Sequence, residues 1–183
     1  MISRFLGLLF LVLLSPLFAS ISILIYLSDG YPIFFKQKRV GLNNNHFFLY
    51  KFRTMKMGTP DVATHLLNNP QIYYIRLGLF LRKFSLDELP QLFNIIKGDM
   101  IFIGPRPALF NQIDLIDLRT EHGIHKLKPG ITGWAQINGR DSISIEKKVS
   151  LERDYLSRKS LSFDLRIIIY TVVKVLSVSD VNQ

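Results

Sequence analysis

The chain has 183 residues, 48% of them hydrophobic, a formal net charge of +9 and no cysteine. That length fits one domain with at most an appendage, and the missing cysteines exclude disulfides, thiolate metal sites and a cysteine nucleophile. High apolar content with strong positive charge points to a membrane surface or a phosphate-rich partner; nucleic acid ranks low, because the basic residues form neither an arm nor a recognisable reading helix.

Residues 5–27 carry no charge. A straight helix of that length would reach roughly 35 Å, enough to cross a hydrocarbon core of roughly 30 Å. Ser15-Pro16 lies in the middle, where proline removes a backbone donor and the serine hydroxyl can bond a freed carbonyl. Arg4 precedes the segment, and Lys36, Lys38, Arg39, Lys51 and Arg53 follow it, so both flanks carry the positive charge that favours the cytoplasmic side. A helix that enters, bends at Ser15-Pro16 and leaves on the same face accounts for both features. A signal peptide, a kinked complete span and a buried soluble helix are the alternatives.

Residues 31–40 are aromatic and then basic, 42–45 read as an asparagine-rich turn, and 47–55 read as a strand. Residues 58–69 form a polar loop, and 72–83 read as a helix ending on Arg82 and Lys83. A second helix is expected over 90–97, with Gly98 as its C-cap, followed by a short strand at 100–103 and a turn at 104–107. Helical spacing of apolar and acidic residues predicts a helix over 108–121. Residues 128–140 read as a glycine-punctuated loop and 145–158 as a charged helix. The apolar segment 161–178 fits an interfacial or core helix, with a strand left open by its β-branched residues. The fold class expected is α+β and mostly helical, with an N-terminal re-entrant helix over 1–30 and a catalytic domain over 31–183.

The string Ser85-Leu86-Asp87-Glu88-Leu89-Pro90-Gln91-Leu92 carries the strongest chemical signal. Pro90 suits a helix start, which places both carboxylates just outside the helix N-terminus. A carboxylate there can attack phosphorus or hold Mg²⁺ against substrate phosphates. The structural alternative is a capping box between Ser85 and Glu88. In Gly104-Pro105-Arg106-Pro107 the prolines restrict the backbone around one arginine, which suits it to gripping phosphate. Lys51 and Arg53 could add phosphate contacts or attract anionic lipid.

Residues 129–140 hold three glycines, the only tryptophan, two amides and an arginine. Gly133 permits close approach of a ligand. Trp134 could stack on a base, with Gln136 or Asn138 reading its edge, or could be a packed aromatic. His122 and His125 could share a helical face, but no third ligand has a recognisable metal spacing. Asp99 reads as a turn residue, and Glu152 and Asp154 as a solvated face.

Taken together, these stretches resemble the monotopic polyprenyl-phosphate phosphoglycosyl transferases among bacterial sugar transferases. The resemblance is carried by Ser15-Pro16, Phe35-Lys36-Gln37-Lys38-Arg39-Val40-Gly41, Tyr50-Lys51-Phe52-Arg53-Thr54-Met55, residues 85–92, Lys97-Gly98-Asp99-Met100, 104–107 and 129–140. It implies that Ser15 and Pro16 make the membrane bend and that Asp87 is the nucleophile on the β-phosphate of a UDP-sugar. It further implies that Glu88 assists with Mg²⁺, Asp87 also being within reach of the ion. Arg106 would hold a phosphate of the lipid acceptor or intermediate. Beside what the resemblance implies, the residues themselves make Lys51 and Arg53 candidate phosphate contacts and Gly133, Trp134, Gln136, Asn138 and Arg140 candidate nucleotide-sugar contacts. The implied product is a polyprenyl-diphosphate-sugar, formed with release of UMP at the cytoplasmic face of the bacterial inner membrane, as the first membrane step of surface glycan assembly. Membrane lipid, a second copy of the chain and downstream glycosyltransferases are the partners such an enzyme would take. The chain reads Glu152-Arg153-Asp154-Tyr155 where many relatives have an Asp-x-Glu-Tyr-like stretch. It also lacks the large extra membrane domain of some relatives, as a minimal catalytic unit would. A UDP-releasing glycosyltransferase and a non-catalytic membrane scaffold are the competing readings.

Overall fold

A computed structural model describes residues 1–60, 67–139 and 142–177. The apolar N-terminal run forms two helices, α1 (Ile2–Leu13) and α2 (Ser15–Asp29), bent by 63° at their junction. Ser15 Oγ donates to the Val12 carbonyl at 2.8 Å. Pro16 falls in the first turn of α2, where a missing N–H costs least. Neither helix alone is long and apolar enough to cross a membrane. Gly7 lets α1 lie against Ile95 and Ile96, and Arg4 Nη2 donates to the Lys97 carbonyl at 3.0 Å. Ile21 and Ile25 of α2 pack with Phe52, Ile75 and Leu81 in one core cluster.

Strands β1 (Phe34–Val40) and β2 (His46–Phe52) form an antiparallel hairpin whose register runs from Phe34 opposite Phe52 to Val40 opposite His46. Its turn uses Asn43 and Asn44 at positive φ, a conformation asparagine tolerates better than most residues. Beyond β2, residues 72–83 are not one helix. Pro70–Tyr73 is a 3₁₀ turn, Tyr74 pairs with Met55, and only α3 (Gly78–Lys83) is α-helical. The carbonyls of Tyr73 and Thr54 accept from Lys56 and Ile75 in this pairing. Gly78 then passes so close to the Thr54 carbonyl that any Cβ would collide with it.

Helix α4 (Gln91–Lys97) ends on Gly98 at φ 93°, as its sequence predicts. Strand β3 (Ile101–Ile103) pairs in parallel with β4 (Gly130–Thr132). Residues 128–139 are therefore more ordered than the loop expected over 128–140: β4 and the single turn α6 (Trp134–Ile137) lie within them. Helix α5 (Ile113–Glu121) is shorter than the 108–121 expected, because Leu109 bridges to Arg39 and Val40 N–H donates to the Ala108 carbonyl. Helix α7 (Ile145–Arg158) has the expected bounds and is N-capped by the Ser144 hydroxyl.

The last apolar segment resolves as a helix, α8 (Leu161–Ser177). Phe163 and Ile167 pack against Ile137 and Tyr155, while Leu165, Ile168, Ile169, Val172 and Val173 are exposed. Among the described residues the fold is thus mostly helical with two small two-stranded sheets, in line with the α+β expectation.

Candidate active site

Asp87 and Glu88 lie on a 3₁₀ turn, Leu86–Glu88, immediately ahead of α4. Ser85 enters this turn at φ 53° and its hydroxyl makes no cap hydrogen bond, so the capping-box alternative fails. Instead the Ser85 carbonyl accepts from Glu88 N–H at 3.2 Å. Both carboxylates are buried, at 5% and 7% exposure. Burying two charges so close together requires compensating cations, and two are present. Lys51 Nζ lies 2.8 Å from Glu88 Oε1 and 3.5 Å from Asp87 Oδ2. Arg106 places Nη1 and Nη2 each 3.2 Å from the same Glu88 oxygen. Residues from β2, the acidic turn and the 104–107 turn thus meet at one point.

Asn94, which no motif singled out, and Arg39, read only as a flanking charge and part of a motif, position those elements. Asn94, fully buried, donates to the Phe48 carbonyl at 2.7 Å and accepts from Tyr50 N–H at 3.0 Å, which fixes α4 against the strand carrying Lys51. An asparagine inside a short apolar helix was the available signal. Arg39 Nη1 donates to the Pro107 carbonyl at 3.0 Å, securing the turn that presents Arg106. That turn is also confined by backbone: Gly104 N–H donates to Thr132 O and Gly130 N–H to Pro105 O. A Cβ on Gly104 would strike the Lys128 carbonyl.

Other expected site residues lie elsewhere. Arg53 is buried and donates through Nη2 to the carbonyls of Asp29 and Gly30, both at 2.8 Å. It closes the C-terminal end of α2, with no ion pair to the acidic turn among the described residues. Trp134 packs on Phe163 at a centroid distance of 4.9 Å, the packed-aromatic alternative. Asn138 donates to the Trp134 carbonyl. Gly133 opens α6 in an extended conformation, against the Gly104 carbonyl. The buried amide of Gln136 has no hydrogen-bond partner among the described residues, an arrangement that usually costs on the order of 1–3 kcal/mol. Arg140 lies outside the described residues.

Three further expectations meet the structure. Glu152 is not on a solvated face: it is buried and accepts from Arg119 Nε and Nη2, at 2.8 and 2.5 Å, joining α7 to α5. Asp154 does face outward and pairs with Arg158. His122 follows α5 while His125 lies in a separate 3₁₀ turn, so the two do not share a helix. Asp99 is a turn residue, accepting from Asn94 Nδ2 at 3.3 Å.

Among the described residues no cluster of three or more potential ligands could enclose a metal ion. Asp87 and Glu88 do fit a Mg²⁺ ion that takes one or two protein carboxylates and completes its octahedron with substrate phosphates and water. The charges support that conditional fit: Lys51 and Arg106 already offset the two carboxylates, so a dication is favoured when a phosphate-bearing substrate brings further negative charge.

A buried carboxylate pair with lysine and arginine on a membrane-compatible, mostly helical scaffold defines an enzyme-like site suited to phosphate chemistry. Comparison with known proteins gives the class directly. The bacterial sugar transferase family matches residues 1–178, and the chain belongs to that family. It is 47% identical to the uncharacterized sugar transferase EpsL of Bacillus subtilis (strain 168), over 86% of this chain and 76% of that one. It is 37% identical to the exopolysaccharide production protein ExoY of Sinorhizobium fredii, over 88% of this chain and 78% of the relative. It is 39% identical to the UDP-glucose:undecaprenyl-phosphate glucose-1-phosphate transferase of Xanthomonas campestris pv. campestris, over 88% of this chain but 35% of that longer protein.

Proposed function

We propose that the chain is a phosphoglycosyl transferase that moves a sugar-1-phosphate from a UDP-sugar to a polyprenyl phosphate such as undecaprenyl phosphate, releasing UMP. The carrying observation is the convergence of Asp87, Glu88, Lys51 and Arg106. The names of the relatives, which include UDP-glucose and UDP-N-acetylgalactosamine transferases acting on undecaprenyl phosphate, supply the substrate class.

In this reading an Asp87 oxygen attacks the β-phosphorus of the donor. The bond from that phosphorus to the oxygen bridging to the α-phosphate breaks, and UMP leaves with the electron pair. Asp87 now carries the phosphosugar as an acyl phosphate. An oxygen of the polyprenyl phosphate then attacks the same phosphorus, forming the lipid diphosphate-sugar and returning Asp87 as a carboxylate. Charge repulsion between carboxylate and diphosphate is the main barrier, and Lys51 and Arg106 supply fixed positive charge against it. Glu88 holds both cations in place. Bound Mg²⁺, held by Asp87 or Glu88, would supply further charge neutralisation on the phosphates. Gln136 is the group we assign to the nucleotide sugar, on the strength of its unsatisfied amide.

The same reading places α1 and α2 as a re-entrant pair at the cytoplasmic face of the inner membrane, with the exposed side of α8 in the interface. The 63° bend, the exposed apolar residues on both helices and Arg4 tied back to the catalytic domain support it. The test is nucleotide release from detergent- or nanodisc-held enzyme given Mg²⁺, undecaprenyl phosphate and a panel of UDP-sugars. UMP release that fails in Asp87→Asn is expected; UDP release would replace this reading with a glycosyltransferase that cleaves the sugar–phosphate bond.

A further inference from the structure

A groove of about 380 Å³ lies apart from the acidic turn, walled by Phe34, Tyr50, Phe93 and Ile96, with Lys36 and Lys97 at its rim. Its size is in the range of small-molecule sites. Neighbouring residues of a strand point to opposite faces, so Tyr50 and its cross-strand partner Lys36 face away from Lys51 and its partner Phe35. The groove is therefore on the reverse side of the hairpin from the reaction centre. Two ammonium groups converge on one ring there: Lys36 Nζ lies 5.6 Å and Lys97 Nζ 4.6 Å from the Tyr50 centroid. Lys97 also donates to the Tyr50 hydroxyl at 2.9 Å, which helps keep it protonated. The apolar wall continues into the membrane helices, since Phe18 of α2 touches Phe34 and Phe93 at 5.8 and 5.6 Å. Arg4 of α1 is bonded to the Lys97 carbonyl.

We propose that this groove binds one anionic glycerophospholipid of the bilayer, its phosphodiester between Lys36 and Lys97 and an acyl chain along Phe34, Phe93 and Ile96. Charge complementarity selects this occupant. Two exposed cations at the rim of an apolar slot match a molecule with a phosphate at the end of a hydrocarbon chain. The reacting polyprenyl phosphate is a poorer match, because a phosphate held here faces away from Asp87 and Arg106. Such a lipid would brace β1, β2 and α4, the elements that carry Lys51 and abut the acidic turn, against the membrane helices.

Native mass spectrometry of the full chain, released from micelles containing equal phosphatidylglycerol and phosphatidylcholine, tests this without reference to nucleotide chemistry. The expected result is one retained phosphatidylglycerol, preferred on the order of tenfold or more, with the preference lost in Lys36→Gln/Lys97→Gln. Lys36→Glu serves as a second variant, because Lys36 makes its Tyr50 contact through the ring alone and its loss leaves the Lys97 hydrogen bond in place; it is expected to lose the preference too. Equal retention of both lipids by the unaltered chain would overturn the proposal. So would undiminished phosphatidylglycerol preference in the variants, or one-for-one displacement of that lipid by undecaprenyl phosphate.

Discussion

At the scale of single residues, the acidic turn is held together by opposed charge, and each charge has a measurable consequence. Lys51 contacts both carboxylates. Lys51→Met removes the cation that touches both carboxylates, and we expect turnover to fall by about 10²–10³-fold, with membrane binding unchanged in flotation assays. Arg119 and Glu152 form a second buried pair away from the acidic turn. Glu152→Gln strands a buried guanidinium and should cost about 3–5 kcal/mol, seen as a lower denaturation midpoint, whereas replacing both partners by apolar residues should cost much less. Equal losses in the single and double variants would mean that the pair's charge is not what stabilises α5 against α7.

At the scale of elements, the division between what the sequence displayed and what it concealed has a physical cause. Helices with a local pattern of their own were readable: Gly98 marks the end of α4, and the charged run 145–158 gives α7, whose Ser144 cap the structure adds. Segments whose backbone bonds go to distant partners were not. The helical pattern of 72–83 gives way because Tyr74 is taken by Met55, and 128–140 hides β4 because its partner β3 is remote in sequence. The acidic pair and Arg106 announced themselves through turn residues around them. Arg53 did not, because its partners are the carbonyls ending α2, which no local pattern encodes. Glu152 and Asp154 look alike in sequence, and only packing separates the buried one from the exposed one.

Tyr155 links three elements, donating to Asp164 at 2.8 Å and to the Ile103 carbonyl at 3.4 Å. Burial, more than the nearby Asp164, pushes its pKa well up. A phenol raised on folding contributes its stability fully below its unfolded value near 10 and loses it as pH rises through the folded one. Stability should therefore hold from neutral pH to about 10 and fall above it. In Tyr155→Phe that alkaline fall should be shallower, as followed by circular dichroism; an unchanged alkaline limb would place the titrating group elsewhere.

At the scale of the molecule, apolar residues exposed on α1, α2 and α8 coexist with a net charge of +9, a combination that suits burial in a lipid interface beside anionic headgroups. The re-entrant arrangement requires both ends of the bent pair to be on one side. Since the chain has no cysteine, Ser3→Cys and Lys38→Cys report sidedness cleanly. Both should react with an impermeant maleimide only once the cytoplasmic face is opened; labelling of Ser3→Cys from the periplasm of intact cells would make the pair a kinked span instead.

The covalent phosphosugar on Asp87 is the central claim, and intact-protein mass spectrometry tests it most directly. Enzyme mixed with Mg²⁺ and its UDP-sugar, with no polyprenyl phosphate, should release one UMP per chain and gain the mass of one phosphosugar. Peptide mapping should place that mass on Asp87, and added undecaprenyl phosphate should discharge it. Steady UMP release that requires both substrates together and leaves the chain's mass unchanged would contradict the two-step account and favour direct transfer.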